Sequence, residues 1–219
     1  MKLNQYIAQA TGMSRREASE ELKAGKVQLN ARVAEFWEEV NLKKDVVLYN
    51  GKKVTLPERT TSVILNKPVG YITSRYDEHG RKTVMDLLPK NLQNLKPVGR
   101  LDADSEGLLI LTDDGNKIYE WTHPKFEHEK EYILTFKKPI TEELLRKFVV
   151  GVKLSEGIAL ADYVEKINIK KLNAVIHQGW KHQLRRMAEK CGNEIVRLQR
   201  VRMGDIVLGD IKVGKWKKF

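Results

Sequence analysis

The chain has 219 residues, 41% of them hydrophobic, which suits one ordinary domain plus a small one and excludes a disordered chain. Its 40 Lys and Arg outnumber 29 Asp and Glu, a formal charge of +11 that points to a polyanion, nucleic acid before an anionic membrane surface. The single cysteine, Cys191, excludes an internal disulfide and a cysteine zinc cluster and fits a reducing cytoplasm. No apolar run is long enough to span a bilayer, and MKLNQYIAQATG lacks the apolar core of a signal peptide.

Residues 1–57 read as a small module. Leu3, Ile7 and Ala10 recur at helical spacing, so the first helix is expected over 2–10. Ser14 followed by Glu17 is a capping box that opens a second helix through Lys23, with Gly25 at its C-terminal cap. KVQLNARV alternates like a half-buried strand, and VVLYNGKKV reads as a hairpin turning at Asn50-Gly51. Arg15, Arg16, Lys26 and Arg32 are candidates to line one edge that tracks phosphates. Yet residues 1–60 hold 11 basic and 8 acidic residues, so charge alone leaves a solvated helix face as an equal reading.

TLPERTT, 55–61, reads as a linker, and a second domain is expected over 62–219. SVILNK is a strand stopped by Pro68, TVMDLLP a short helix, LLILT a buried strand and EYILTF an alternating one. TEELLRKFVVG is a helix, INIKKLNAVI one or two strands, HQLRRMAEKCG a helix and EIVRLQRVRMGDIVLG strand again. Many strands, few helices and no βαβ alternation predict an α+β fold with a largely antiparallel sheet. Residues 170–219 carry 13 Lys and Arg against 4 Asp and Glu, and Trp180 and Trp216 sit among them, a pattern that suits RNA.

GRLDADSEGLLILTDDG, 99–115, puts five acids into this basic chain. As a calcium loop, Asp102, Asp104 and Glu106 fit positions one, three and five, but Ile110 and Asp113 fail the later ones. As a glycosidase pair, Asp102 and Asp104 lack a defined separation. A third reading is a carboxylate kept near a polyanion for a task and held ionised by a fixed cation, with Arg185 or Arg186 as the candidates. Asp113 and Asp114 read as turn residues, and Glu106 as a cap or backbone partner. A ribonuclease built on His177 and His182 is disfavoured, because five residues apart they share no helix face.

The same stretch resembles the signature of the RsuA-type pseudouridine synthases, which modify ribosomal RNA. LNKPVGYITS resembles that family's first motif, EKEYILTF its tyrosine-bearing strand, and HQGWKHQLRRMAEKCGNEIVRLQRVRMGDIVL its C-terminal motif. Residues 1–57 resemble an S4 RNA-binding domain, with Asn30-Ala31 at a turn where such modules often have Asn-Gly, and 62–219 the catalytic domain, a mixed sheet flanked by helices. The resemblance implies isomerisation of a uridine to pseudouridine, with the base detached at N1, turned and rejoined through C5 after flipping into a pocket.

The resemblance assigns the catalytic carboxylate to Asp102, either attacking the sugar carbon or removing a sugar proton. It makes Arg185 the partner of Asp102, stacks Tyr132 on the target base and packs Leu198 beneath it. It places Arg100, Lys67 and Arg186 with Leu198 among the substrate-binding residues. General packing statistics make Leu198 and Tyr132 core residues, and Arg185 alone reads as a phosphate contact. No metal or organic cofactor is expected. The expected protein is a cytoplasmic monomer acting on ribosomal RNA, and Gln178-Gly179, in place of a commoner Glu-Gly, tilts that towards the large subunit. The rival reading is a non-catalytic RNA-binding or ribosome-assembly factor.

Overall fold

The computed structural model describes residues 1–57 and 60–219. Glu58 and Arg59, inside the expected linker, lie outside the described residues. The chain divides into two compact units, 1–61 with 113–115 and 62–112 with 116–219.

In the first unit, α1 (Leu3–Thr11) and α2 (Arg15–Lys23) precede β1 (Val27–Leu29), β2 (Arg32–Val33), β3 (Val47–Tyr49) and β4 (Lys52–Lys53). The capping box at α2 is complete: Ser14 Oγ accepts from Glu17 N at 3.1 Å and Glu17 Oε2 from Ser14 N at 2.6 Å. Gly25 follows the helix with φ +70°, as a C-terminal cap needs. KVQLNARV, whose alternation reads as one strand, is a tight hairpin, and its turn falls at Asn30-Ala31, where the S4 resemblance places one. Asn30 and Ala31 both take positive φ and turn β1 into β2, the geometry that matches strand twist. The sheet order is β2-β1-β3-β4, and Leu3, Ile7, Ala18, Leu22, Val27 and Val47 fill its core.

The second unit runs β5 (Ser62–Lys67), β6 (Lys96–Val98), β7 (Glu106–Thr112), α3 (Gly115–Thr122, all but its first residue), β8 (Lys130–Phe136) and α4 (Glu142–Val150). The short hairpin β9 (Val152–Lys153) and β10 (Ile158–Ala159) follows. The chain ends with β11 (Tyr163–Asn168), β12 (Lys171–Ile176), α5 (Gln183–Lys190), β13 (Ile195–Met203), β14 (Ile206–Val207) and β15 (Trp216–Lys218). TVMDLLP forms a 3₁₀ turn over Val84–Leu87, capped by Thr83.

The main sheet has the order β11-β12-β8-β13-β7-β5-β15, with β6 on β7 and β14 on β13. Its pairs are antiparallel except β7 with β13. The unit is α+β. All seven residues of β7 are buried because apolar groups cover both faces. Leu109 and Leu111 face a core with Leu134, Phe136, Phe148 and Met187, whereas Leu108 and Ile110 face Ile64, Val98 and Met203. Where β7 meets β13 the chains are very close. A Cβ on Gly107, whose φ is +102°, would lie 2.2 Å from the Arg200 carbonyl oxygen.

Candidate active site

The first part of the acidic stretch, 99–105, is a loop between β6 and β7, and its main chain is bonded at each residue from Leu101 to Ser105. Leu101 is buried, and its N–H and carbonyl both bond Thr73 Oγ1, at 3.1 and 2.6 Å. Gly70 N donates to the Ala103 carbonyl at 2.7 Å, and Ser105 N to the Asp102 carbonyl at 3.1 Å. Lys67, at the end of β5, is fully buried and donates to the carbonyls of Pro68 (3.1 Å), Asp102 (3.0 Å) and Ser105 (2.7 Å). Burial pushes its pKa down to about 8 against the opposing pull of Asp104 and Asp102. The expectation that Lys67 binds substrate is therefore corrected. A side chain with no exposed surface holds the loop instead.

With its main chain fastened, Asp102 turns its carboxylate into a cleft of about 880 Å³. The side chain is 38% exposed, and Oδ1 lies 3.4 Å from His182 Nε2. The expected pair with Arg185 is not formed. Arg185 Nε sits 3.0 Å from Asp104 Oδ2, Nη2 donates to the Asp104 carbonyl at 2.9 Å, and Nη1 to the Ile195 carbonyl at 2.7 Å. The guanidinium thus clamps the loop beside Asp102. Arg186 is also committed elsewhere, bidentate on Glu156 at 2.8 and 2.9 Å, which holds the pKa of that carboxylate at about 2.

The three loop acids diverge: Asp102 to His182, Asp104 to Arg185, and Glu106 to Arg197 at 2.5 Å. That separation removes the calcium reading, and it replaces the expected backbone role of Glu106 with an ion pair. No cluster of three metal-ligating side chains occurs among the described residues.

The cleft floor is one face of the sheet. Arg200 on β13 is the cross-strand partner of Tyr132 on β8, and Leu198 and Lys130 lie two residues from each on the same face. Tyr132 and Leu198 are buried yet line the cleft. Lys130 donates to the His177 carbonyl at 2.8 Å, and burial, then Arg200, lowers its pKa. Arg100 lines the rim, exposed and without a side-chain partner among the described residues.

The far wall is 178–184, from the end of β12 to the start of α5. Gln183 is buried and bonds Gln178 Oε1 at 2.8 Å, and Trp180 N donates to Gln183 Oε1 at 3.2 Å. His182 adopts φ +52°, a left-handed turn that starts the helix next to Asp102. Trp180 lines the cleft while packing on the core, but Trp216 packs on the core from edge strand β15. His177 pairs with Asp162 at 2.7 Å, so the two imidazoles serve different carboxylates.

The arrangement is a carboxylate over an aromatic and aliphatic floor, ringed by cations. Residues 61–190 match the family model described as RNA pseudouridylate synthase. The chain belongs to the RNA pseudouridine synthases. This synthase is 37% identical over 208 residues to "Ribosomal large subunit pseudouridine synthase B" of Bacillus subtilis, covering 91% of this chain and 84% of that one. It is 35% identical to "Dual-specificity RNA pseudouridine synthase RluF" of Escherichia coli, covering 99% and 74%. A crystal structure of a pseudouridylate synthase superposes with TM-score 0.72 at 28% identity, covering 100% of this chain and 96% of that one.

Among cleft residues, sequence reasoning passed over Lys130 and Arg200 and took His182 only as half of a ribonuclease pair. Alternation along β13 carried a usable signal for Arg200, two residues after Leu198 and so on the same face. In the first unit, Arg15 and Arg16 are exposed without side-chain partners among the described residues. Lys26 is paired with Glu21 at 3.0 Å and Arg32 with Glu38, so the expected four-cation edge is reduced to two free cations.

Proposed function

We propose that this pseudouridine synthase modifies a uridine of ribosomal RNA, of the large subunit in particular, with Asp102 as the catalytic carboxylate. The observation that carries the reading is the cleft itself. It presents the half-exposed Asp102 carboxylate, from a loop whose main chain is bonded on several sides, in the same cleft as Tyr132 and Leu198. Fixed main chain and an outward carboxylate are what a preorganised catalytic acid needs.

A base cannot reach such a cleft from within a helix, so the target nucleotide flips in, stacks on Tyr132 and rests on Leu198. Arg100 at the rim contacts the backbone of the flipped nucleotide. Arg185 acts through Asp104, keeping the loop in place. The first unit serves as an S4-like RNA-binding domain, with Arg15 and Arg16 as its phosphate contacts. The protein works as a cytoplasmic monomer; no described helix is long and apolar enough to cross a membrane.

The large-subunit assignment draws support from the name of the Bacillus subtilis relative. Mapping pseudouridines in both ribosomal RNAs from cells lacking the gene tests it. Loss of one large-subunit pseudouridine, restored by the wild-type gene and not by Asp102→Asn, is expected. An unchanged large-subunit map refutes the assignment.

A further inference from the structure

We infer that Arg200 is a catalytic residue of this reaction, donating hydrogen bonds to a carbonyl oxygen of the pyrimidine while it is detached as an anion. This rests on the cleft being the seat of the target base.

Arg200 is 2% exposed, yet it lines the cleft, side by side with Tyr132 on the neighbouring strand. Only Nε is used, donated to the Leu108 carbonyl at 2.8 Å. Neither terminal nitrogen has a hydrogen-bond or ion-pair partner among the described residues, and Nη2 is screened from solvent. Of the other arginines near the cleft, Arg185 has Asp104, Arg186 has Glu156 and Arg197 has Glu106, whereas Arg100 is exposed to solvent. A guanidinium is always charged, and a buried charge without a partner is costly. Here the fork is held by its Nε bond and by the close approach of Gly107 to its main chain.

The chemistry names the missing partner. When the bond between C1′ and N1 breaks, its electron pair goes to the base, which becomes an anion spread over N1, O2 and O4. After the ring turns, C5 bonds to C1′, the C5 proton leaves and N1 takes up a proton, so no mass is lost. Arg200 gives up no proton in this sequence. It offers fixed donors where negative charge develops, which is the most effective use of a buried cation in catalysis. Lys130, also with no carboxylate hydrogen-bonded to it among the described residues, reinforces the positive floor. A phosphate would need an exposed cation, whereas Arg200 is buried beside Tyr132.

The test compares Arg200→Gln and Arg200→Lys with wild type on ribosomal RNA transcribed with uridine or with 5-fluorouridine. Fluorine stabilises the detached anion, so it should replace part of what Arg200 supplies; because 5-fluorouridine has no C5 proton to release, reaction on both RNAs is scored as loss of the C1′–N1 bond. Arg200→Gln is expected to slow single-turnover reaction on uridine RNA about 100-fold, the usual effect of losing one such donor. The slowing on 5-fluorouridine RNA is expected to be clearly smaller, and RNA affinity to stay within about threefold. Arg200→Lys should fall between. Equal slowing on both RNAs overturns the proposal in favour of a structural role, and lost affinity with a flatter salt dependence overturns it in favour of a phosphate-binding role. Wild-type protein supplies an arm independent of variant folding. Transcripts with 2-thiouridine or 4-thiouridine replace one acceptor oxygen by sulfur. Slowing with either supports the proposal, and slowing with neither overturns it. A still-active Asp102→Asn would refute the seat of the base separately, whatever Arg200 does.

Discussion

Lys67 and Asp102 meet through the main chain: the lysine ammonium donates to the Asp102 carbonyl at 3.0 Å, while the Asp102 carboxylate turns away towards His182. The lysine therefore holds the loop and leaves the carboxylate free. Lys67→Met should loosen the loop and slow turnover by about 10- to 100-fold, the range a small misplacement of a reacting group produces.

The same lysine sets a pH dependence. Below about pH 8 the folded protein holds a buried ammonium. Between there and the ordinary lysine value of 10.5, the unfolded chain keeps a proton that the folded chain has released. Stability of the wild type, relative to Lys67→Met, should therefore rise with pH across that window, by up to about 3 kcal/mol. Denaturant titrations of both proteins at pH 7 and pH 10 measure it, and a wild-type stability that does not rise relative to Lys67→Met between the two would contradict the burial of Lys67.

Asp102→Asn keeps shape and removes charge. Pseudouridine formation should stop, measured as product nucleoside, while RNA affinity changes by less than about threefold. A large loss of binding would make Asp102 a structural residue.

Asp104→Asn separates the two aspartates. Arg185 would keep its bonds to the Asp104 and Ile195 carbonyls and lose only its carboxylate. Turnover should fall about 10-fold, far less than for Asp102→Asn, with a lowered melting temperature because a partly buried guanidinium loses its counter-charge. Equal loss in the two variants would mean that Asp104 shares the chemistry.

Gly107→Ala would drive a methyl group into the Arg200 carbonyl and strain a residue at φ +102°. Destabilisation of about 3 kcal/mol or more is expected from clash and backbone strain together. A near-normal thermal midpoint would show that β7 and β13 can separate at little cost.

Replacing both Arg15 and Arg16 by Gln should weaken RNA binding and reduce the salt slope by about 1 to 2, since each phosphate left without its cation lowers the slope by roughly one. The same change at Lys26 and Arg32 should do less, because each already has a carboxylate partner.

Local pattern made much of the fold legible. The capping box at Ser14 and Glu17 works over three residues, and the buried run of β7 needs only a covered sheet on both sides. The alternation of KVQLNARV misled because it continues through a hairpin whose turn residues, Asn30 and Ala31, are not the usual Asn-Gly. The edge position of β15 on β5 was invisible, since it joins Trp216 to Leu65 across most of the unit.

The amino-acid order by itself determined the α+β class and the motifs that mark the family, because these rest on residue types at short spacings, and Asp102 as the acid to watch came with the resemblance those motifs carry. Only the tertiary structure decided which charge meets which. Lys67 reaches Ser105 across 38 residues and Arg185 reaches Asp104 across 81. Coulomb attraction and burial depend on distance in space, and residues two apart, such as Asp102 and Asp104, can end up facing different cations.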